Sequence, residues 1–340
     1  MPADLSIVVP VYNRAELLAY SLESVHRARG SLQLEVIVVD DGSTPPLDPA
    51  LPALQRIQAR VIRQENQGLL FARLRGFKEA TGRHTLFLDS DDLVNPEKLT
   101  AQVTAMDRTG VDVTYTDSAR CVIEGDYDAL AFLPDSPTQE TTDIAEFFIT
   151  VQPAPHSPIW RTEFLRRAVE EAFIPPSTLF NSVAEIWFYH NAAILPGRAL
   201  KVPGVHTIVG QHPGVRLTNN WERLGVASLA VQEGFARRCP DTEASATPRQ
   251  LVAEKAFRSW RRLPRDFSPE FTRRQLDVWH RLRRTTRPAW LGGPLFQKLA
   301  RVFGVVTAGR ILRLRNSTYR SCRTLDDDAL ERLLLKLPPP

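Results

Sequence analysis

Asp89, Asp91 and Asp92 fall within four positions of one another in "LFLDSDDLVNP" (86–96), directly after an apolar run. Carboxylates this close repel at neutral pH unless a cation neutralises them. The cluster therefore predicts a divalent metal, and oxygen ligands without cysteine favour Mg²⁺ or Mn²⁺ over Zn²⁺. So short a carboxylate site leaves open positions that a diphosphate can fill. Two further polar clusters close apolar runs in the same way, "PVYNR" (10–14) and "DDGS" (40–43). Capping of helices and turns by Asp40, Asp41 and Asp92 accounts for one or two of the clusters, but not for three on one rim.

The elements that must position them alternate. "LSIVVP" (5–10), "LEVIVVDDGS" (34–43), "ARVIRQ" (59–64), "HTLFLDSDD" (84–92) and "VDVTYTD" (111–117) read as strands. Helical spacing runs through 15–28, 69–82 and from Pro96 to about Thr109. This order predicts an α/β fold with a mostly parallel sheet flanked by helices. Continuous apolar strands fit burial on both faces. Ligands of such sheets sit at the carboxyl ends of the strands, where the three clusters lie. Past residue 118 the pattern loosens: a loop at 134–142, helices at 143–151 and 161–173, and a helix with an aromatic face at 182–195. Residues 197–212 read as paired short strands and 239–249 as a linker, followed by a basic, proline-broken helical stretch without internal repeats.

With 340 residues, of which 43% are apolar, the chain has enough material for two domains or one domain with an extension. Cys121, Cys239 and Cys322 show no paired spacing, which predicts free thiols in a reducing compartment. No apolar run reaches the roughly 18 residues of a membrane span. "MPADLSIVVPVYNR" has no leader pattern and reads as the start of the fold. These features predict a cytoplasmic protein. Net charge is +4, but residues 249–323 carry +15 and the rest −11.

"SIVVPVYNR", "VIVVDDGST", "NQGLLFARLRGFKEATG" and "LFLDSDDLVNPEKL", in this order, resemble the family-2 glycosyltransferases, inverting enzymes of the nucleotide-sugar-binding GT-A fold. The resemblance covers 4–118 well and 119–215 loosely, and it leaves the basic extension outside. It implies a nucleotide-sugar-binding half at 1–118, an acceptor-binding half at 119–238, and a basic helical extension at 249–340. Pro10, Tyr12 and Asp41 match positions that hold the uracil and ribose of a UDP-sugar. An aromatic ring can stack on the base, and a carboxylate can accept from its imide N–H. Arg14, Arg73, Asp89 and Ser90 match further nucleotide-sugar positions, although the family often has Asn where this chain has Leu74. Asp91 matches the direct ligand of Mn²⁺ or Mg²⁺. His212, in "GQHPGVRLT", resembles a loop histidine that completes the metal shell or touches a phosphate in some relatives.

The resemblance is least complete at the base. The family supplies a Glu-Asp pair followed by an aromatic residue; "AEIWFYH" (184–190) keeps Glu185 and Trp187 but has Ile186 in place of the second acid. Neighbouring helical side chains point about 100° apart, so Glu185 does not occupy the missing position unaided. Glu185 acts as the base after a small rotation, or another residue does, or activity is lost. Glu185 is the first candidate and His190, one turn beyond Ile186, the reserve; the role of His156 is open.

The implied activity is transfer from a UDP-sugar to a glycan or lipid-linked acceptor in polysaccharide or envelope-glycan synthesis. Its competitors are an inactive nucleotide-sugar-binding scaffold and a sugar-phosphate nucleotidyltransferase. "VPVYNRAELL" (9–18) lacks the glycines of the latter's phosphate loop. For the extension two readings stand: helices packed on the catalytic domain, or contact with an anionic membrane surface at the inner face of the cell membrane. No nucleic-acid-binding module is recognised.

Overall fold

Strand β1 (Leu5–Val11) sets the plan of the molecule. All seven of its residues are buried. Alternation along the strand sends Leu5, Ile7, Val9 and Val11 into one core cluster and Val8 into another. The computed structural model describes residues 2–214 and 219–338. β1 pairs in parallel with β2 (Leu34–Asp41) and β4 (His84–Phe87), and β2 with β3 (Arg60–Gln64). Helices α1 (Ala15–Ala28), α2 (Pro52–Ile57) and α4 (Lys98–Thr109) contribute to the first cluster, and α3 (Leu69–Lys78) to the second. A Cβ on Gly76 would come within 2.4 Å of Val8 Cγ1, so α3 lies directly on the sheet.

The second half of the sheet mixes directions. Its strands are β5 (Leu93–Val94), β6 (Val113–Val122), β7 (Leu133–Pro134), β8 (Ile159–Arg161) and β9 (Ala199–Gln211). The full order is β3-β2-β1-β4-β8-β6-β9-β5, with β7 on β6. β8 runs antiparallel to both β4 and β6, while β6 and β9 are parallel. The paired short strands expected at 197–212 are instead one long strand. Pro203–Gly204, which resembles a turn in sequence, lies within β9, whose register against β6 shifts between Tyr115 and Ser118. Bulges absorb extra residues in this way without reversing the chain.

The remaining helices are α5 (Ile144–Glu146), continued by a π turn over Phe147–Val151, α6 (Thr162–Glu170), and α7 (Ala184–Ala192). α7 is not amphipathic as expected: Trp187, Phe188, Tyr189, His190 and Asn191 are all buried, on every side of the helix. α8 (Trp221–Arg238) and α9 (Ala246–Arg262) follow, and only 239–245 connects them, because helix begins inside the expected linker. α10 (Pro269–Leu282), α11 (Pro288–Leu291), α12 (Pro294–Phe303), α13 (Val305–Arg313), α14 (Tyr319–Cys322) and α15 (Asp327–Leu334) complete the chain. One hydrophobic cluster runs from Val8 on the sheet to Phe257, Trp260, Trp279 and Leu337. Lys255 Nζ of α9 donates to the Ile149 carbonyl at 3.1 Å. The basic helices therefore share the core of the sheet. No helix among the described residues is long and apolar enough to cross a membrane.

Trp260 is the test of this shared core. It is fully buried, stands 5.1 Å from the Phe257 ring, and leaves no room for a side chain on Gly309 of α13. Trp260→Ala is expected to cost about 3–5 kcal/mol in urea unfolding, within a single transition. Two transitions, with only the weaker one moved, would show that the C-terminal helices fold on a core of their own.

Candidate functional site

The carboxyl ends of β2, β1 and β4 lie side by side, and each delivers a polar cluster to one rim. At the end of β2 the two aspartates part company. Asp40 turns inward, accepting from the backbone N–H of Ser43 at 2.8 Å and Leu47 at 3.1 Å, and pairing with Arg63. Asp41 lines the rim cavity, with Oδ1 accepting from Gln64 Nε2 at 2.8 Å and Gln67 N at 2.9 Å, and Oδ2 from Gly68 N at 2.8 Å. A carboxylate has about four acceptor positions, so Asp41 retains capacity for one further donor. At the end of β1, Pro10 and Tyr12 line the same cavity, Tyr12 with 49% of its surface exposed. Asn13 holds the turn by donating its N–H to Ser43 Oγ at 2.9 Å and accepting from Thr44 N at 2.7 Å.

Beyond β4, Asp89, Ser90, Asp91 and Asp92 form a tight turn closed by Asp92 N donating to Asp89 O at 3.1 Å. Each carboxylate meets its own positive or donor partners. Asp89 Oδ1 accepts from Arg73 at 2.6 Å. Asp91 Oδ2 meets Arg14 at 2.5 Å and His212 Nε2 at 3.0 Å. Asp92 Oδ1 accepts from Gly210 N at 2.9 Å, and its Oδ2 lies 2.9 Å from His156 Nδ1. His156, whose role was open, is buried behind the turn, with Nε2 3.1 Å from the Ile208 carbonyl. β9 can pass this close only at glycine: a Cβ on Gly210 would fall 1.8 Å from the Asp91 carbonyl oxygen. Burial, then Asp92 and Asp89, raise the Asp91 carboxyl above the ordinary range, while Arg14 and His212 oppose the rise.

Arg73 is 1% exposed and sits behind the cavity. One guanidinium nitrogen holds Asp89, and another lies 3.9 Å from Glu185 Oε2 at the start of α7. Glu185 lines the cavity, and burial raises its carboxyl above the ordinary range while Arg73 lowers it. Ile186 packs against the core, so no second acid stands there. His190, the reserve base, is fully buried and edge-on to Phe235; Nδ1 donates to the Ile186 carbonyl at 2.9 Å. Burial pulls its pKa down to about 3. It faces the core, not the cavity, because one helical turn from Ile186 leads to the same packed side.

The cavity, of about 480 Å³, thus brings together Pro10, Tyr12, Arg14, Asp41, Asp89, Ser90, Asp91 and Glu185. Arg73 backs it, and His212 joins through Asp91; residues 215–218 of the histidine's loop lie outside the described residues. Asn181 and Ser182, on the 3-10 turn before α7, also line it. Asn181 Oδ1 accepts from Leu70 N at 3.2 Å, and its Nδ2 donates to the Gln67 carbonyl at 3.1 Å, tying this turn to the start of α3. No periodicity marks a residue on such a turn; only Gly68, directly before a helix, hints at a close approach.

Among the described residues, no group of three or more His, Cys, Asp or Glu side chains is arranged to hold a metal alone. The donors present fit a cation shared with a ligand. Asp91 Oδ2, met by Arg14 and by His212 Nε2 at 3.0 Å, is the oxygen of the turn that such a cation would compete for. Three crowded carboxylates also supply the negative field a divalent cation needs.

Known proteins resemble the chain in sequence and in fold. Residues 6–162 match the family model "Glycosyl transferase family 2". An uncharacterized glycosyltransferase of Rickettsia bellii is 33% identical over 126 residues, 37% of this chain and 18% of that protein. The succinoglycan biosynthesis protein ExoO of Rhizobium meliloti is 33% identical over 111 residues, 32% of each. This chain therefore spans from about a fifth to a third of the length of these relatives. Residues 1–349 of S. aureus TarS superpose with a TM-score of 0.61 at 19% identity, covering 94% of this chain and 91% of that one, and the same TarS fragment has been crystallised with UDP and with UDP-GlcNAc. The likeness shows a GT-A fold: a curled sheet flanked by helices, followed by a helical region.

Asp91 carries a charge that the turn disfavours. Asp91→Asn is expected to raise the melting temperature of the metal-free chain at neutral pH, because it removes one of three crowded charges. The same change should abolish any further rise on adding Mn²⁺. A variant that melts lower than the parent, yet still responds to Mn²⁺, would place both the strain and the metal elsewhere.

Proposed function

From the premise that this chain is a glycosyl transferase family 2 protein with the GT-A fold, we infer that it moves a sugar, with inversion, from a UDP-sugar to a glycan or lipid-linked acceptor. The observation that carries the reading is a single cavity lined at one end by Pro10, Tyr12 and Asp41 and at the other by Glu185, with the carboxylate turn between. Tyr12 offers a face to the uracil, and Asp41 its remaining acceptor position to the imide N–H. Asp89, Ser90 and Arg14 stand beside the ribose and diphosphate. Asp91 and His212 would hold Mn²⁺ or Mg²⁺, which would supply positive charge to the departing diphosphate. The UDP and UDP-GlcNAc complexes of TarS and the polysaccharide role in the name of ExoO support a UDP-sugar donor and a glycan product.

Glu185 takes the proton of the acceptor hydroxyl as that oxygen bonds to the anomeric carbon and the bond to the diphosphate oxygen breaks. A carboxyl raised above its ordinary range holds an accepted proton more firmly, as a general base requires. Arg73, tied to Asp89, holds its carboxylate toward the cavity. The acid lost at Ile186 is the one feature favouring a nucleotide-sugar-binding scaffold without catalysis. Slow donor hydrolysis separates the two readings, since a scaffold binds UDP-sugar and releases no sugar.

Calorimetry with UDP in Mn²⁺ is expected to show saturable binding that Asp41→Asn weakens; no binding at any metal concentration overturns the reading. Glu185→Gln should leave UDP affinity intact and lower hydrolysis or transfer about 10²–10⁴-fold. In the parent, activity should rise with pH as Glu185 loses its proton, at a pH above its unperturbed value of 4.5. Full activity in Glu185→Gln assigns the base to another residue.

A further inference from the structure

From Val278 to Leu325 the chain contains 11 Lys or Arg and no Asp or Glu. The fold uses some of these cations internally. Arg284 pairs with Asp241 at 2.6 Å and Arg287 with Glu254 at 2.7 Å, while Arg313 lies 5.4 Å from the centre of the Trp260 ring. Lys298, Arg301, Arg310 and Arg315 are exposed, and among the described residues they form no ion pair.

Large apolar side chains stand among them. Val302 is 73% exposed, Leu314 67% and Phe303 54%, with Leu295 and Ile311 also outward. Helical spacing explains the arrangement. α12 buries Phe296 and Ala300 and turns Leu295, Lys298 and Val302 outward, at i, i+3 and i+7. α13 buries Ala308 and Gly309 and turns Arg310, Ile311 and Leu314 outward. A single residue, Gly304 at φ +77°, joins the helices, and no side chain but glycine turns so sharply without strain. Val302 and Phe303 therefore stand at the tip of a helical corner flanked by Arg301 and Arg310.

We propose that this corner, α12–Gly304–α13, docks the protein on an anionic lipid surface, with Val302, Phe303 and Leu314 entering the acyl boundary and Lys298, Arg301, Arg310 and Arg315 meeting the headgroups. Charge and apolarity occur together here, and a lipid interface takes both. A nucleic acid or anionic glycan engages the cations but has no use for Val302 and Phe303. The inward faces of the same helices are packed on Trp260 and Phe257, so the outward faces are what remains for a partner. The proposal deepens the reading of a lipid-linked acceptor by naming the surface that brings the enzyme to it, on residues outside the cavity lining.

The test is co-sedimentation of the full chain with phosphatidylcholine vesicles, with and without phosphatidylglycerol. Binding is expected only to the anionic vesicles and should fall as salt rises, because such attraction is screened over about 8 Å at physiological ionic strength. Arg301→Glu with Arg310→Glu, and separately Val302→Asp with Phe303→Asp, should each lower the bound fraction about tenfold. All four positions are exposed, so melting temperature and UDP affinity should match the parent. Recovery of the parent in the supernatant overturns the proposal, as does equal binding by parent and variants. Loss in the charge variant alone, with binding to heparin or DNA, overturns it in favour of a soluble polyanion. UDP binding on the same samples separates the two readings: vesicle binding without UDP binding sinks the catalytic one, and UDP binding without vesicle binding sinks only the membrane one.

Discussion

Three carboxylates in one buried turn must each be answered by a partner, and the rest of the fold is arranged to bring those partners in. Arg73 reaches Asp89 from α3, Arg14 reaches Asp91 from the end of β1, and His212 reaches it from the end of β9. His156 and the backbone of Gly210 answer Asp92 from behind. A buried carboxylate left without a partner costs several kcal/mol, so none of these segments can shift independently. The answer is incomplete at Asp91, whose carboxyl is held above the ordinary range by burial first and then by Asp92 and Asp89. That residual field is what a cation and a diphosphate would complete.

Arg73 couples the two halves of the cavity. Its single buried guanidinium faces Asp89 of the carboxylate turn on one side and Glu185 at the start of α7 on the other. Asn181 repeats the link through the backbone at the start of α3. A second buried polar network fixes the floor behind the turn. Lys98 Nζ donates to the Ser157 carbonyl and to Thr207 Oγ1, both at 3.0 Å, and Gln102 donates to the same carbonyl at 3.2 Å. Burial holds the Lys98 amine well below its ordinary pKa, which is consistent with two neutral acceptors and no carboxylate beside it. His156, next to Ser157, is thereby held against Asp92.

The C-terminal helices complete the same hydrophobic cluster that begins on β1. Phe257, Trp260 and Trp279 join Trp187, Phe188 and Tyr189 of α7 in it. The inner faces of the C-terminal region are largely aromatic and aliphatic, with Arg274 buried against Glu233 and Lys255 against the Ile149 carbonyl, and many of its other cations are exposed. Packing on the core occupies one face of this layer and leaves its other face outward, so the packing reading does not exclude the contact proposed above.

Much of the first half of the sheet was legible in the sequence. β1, β2 and β4 are largely buried apolar runs, and each ends in a polar cluster, so Pro10, Tyr12, Asp41 and Asp89 to Asp92 could be placed on one rim from local pattern and strand order alone. Glu185 was legible as a candidate from "AEIWFYH", while the burial of His190 was not, because α7 is enclosed on all sides and carries no amphipathic signal. Only the tertiary structure decided that Asp40 turns inward while Asp41 faces the cavity, that residues 197–212 form one bulged strand carrying His212 to Asp91, that Asn181 closes the cavity from 111 residues beyond Leu70, and that the basic helices belong to the common core. The physical reason is the same in each case. Local pattern reports which side chains avoid water, whereas the partner of a buried charge is chosen by long-range packing, which no spacing along the chain encodes.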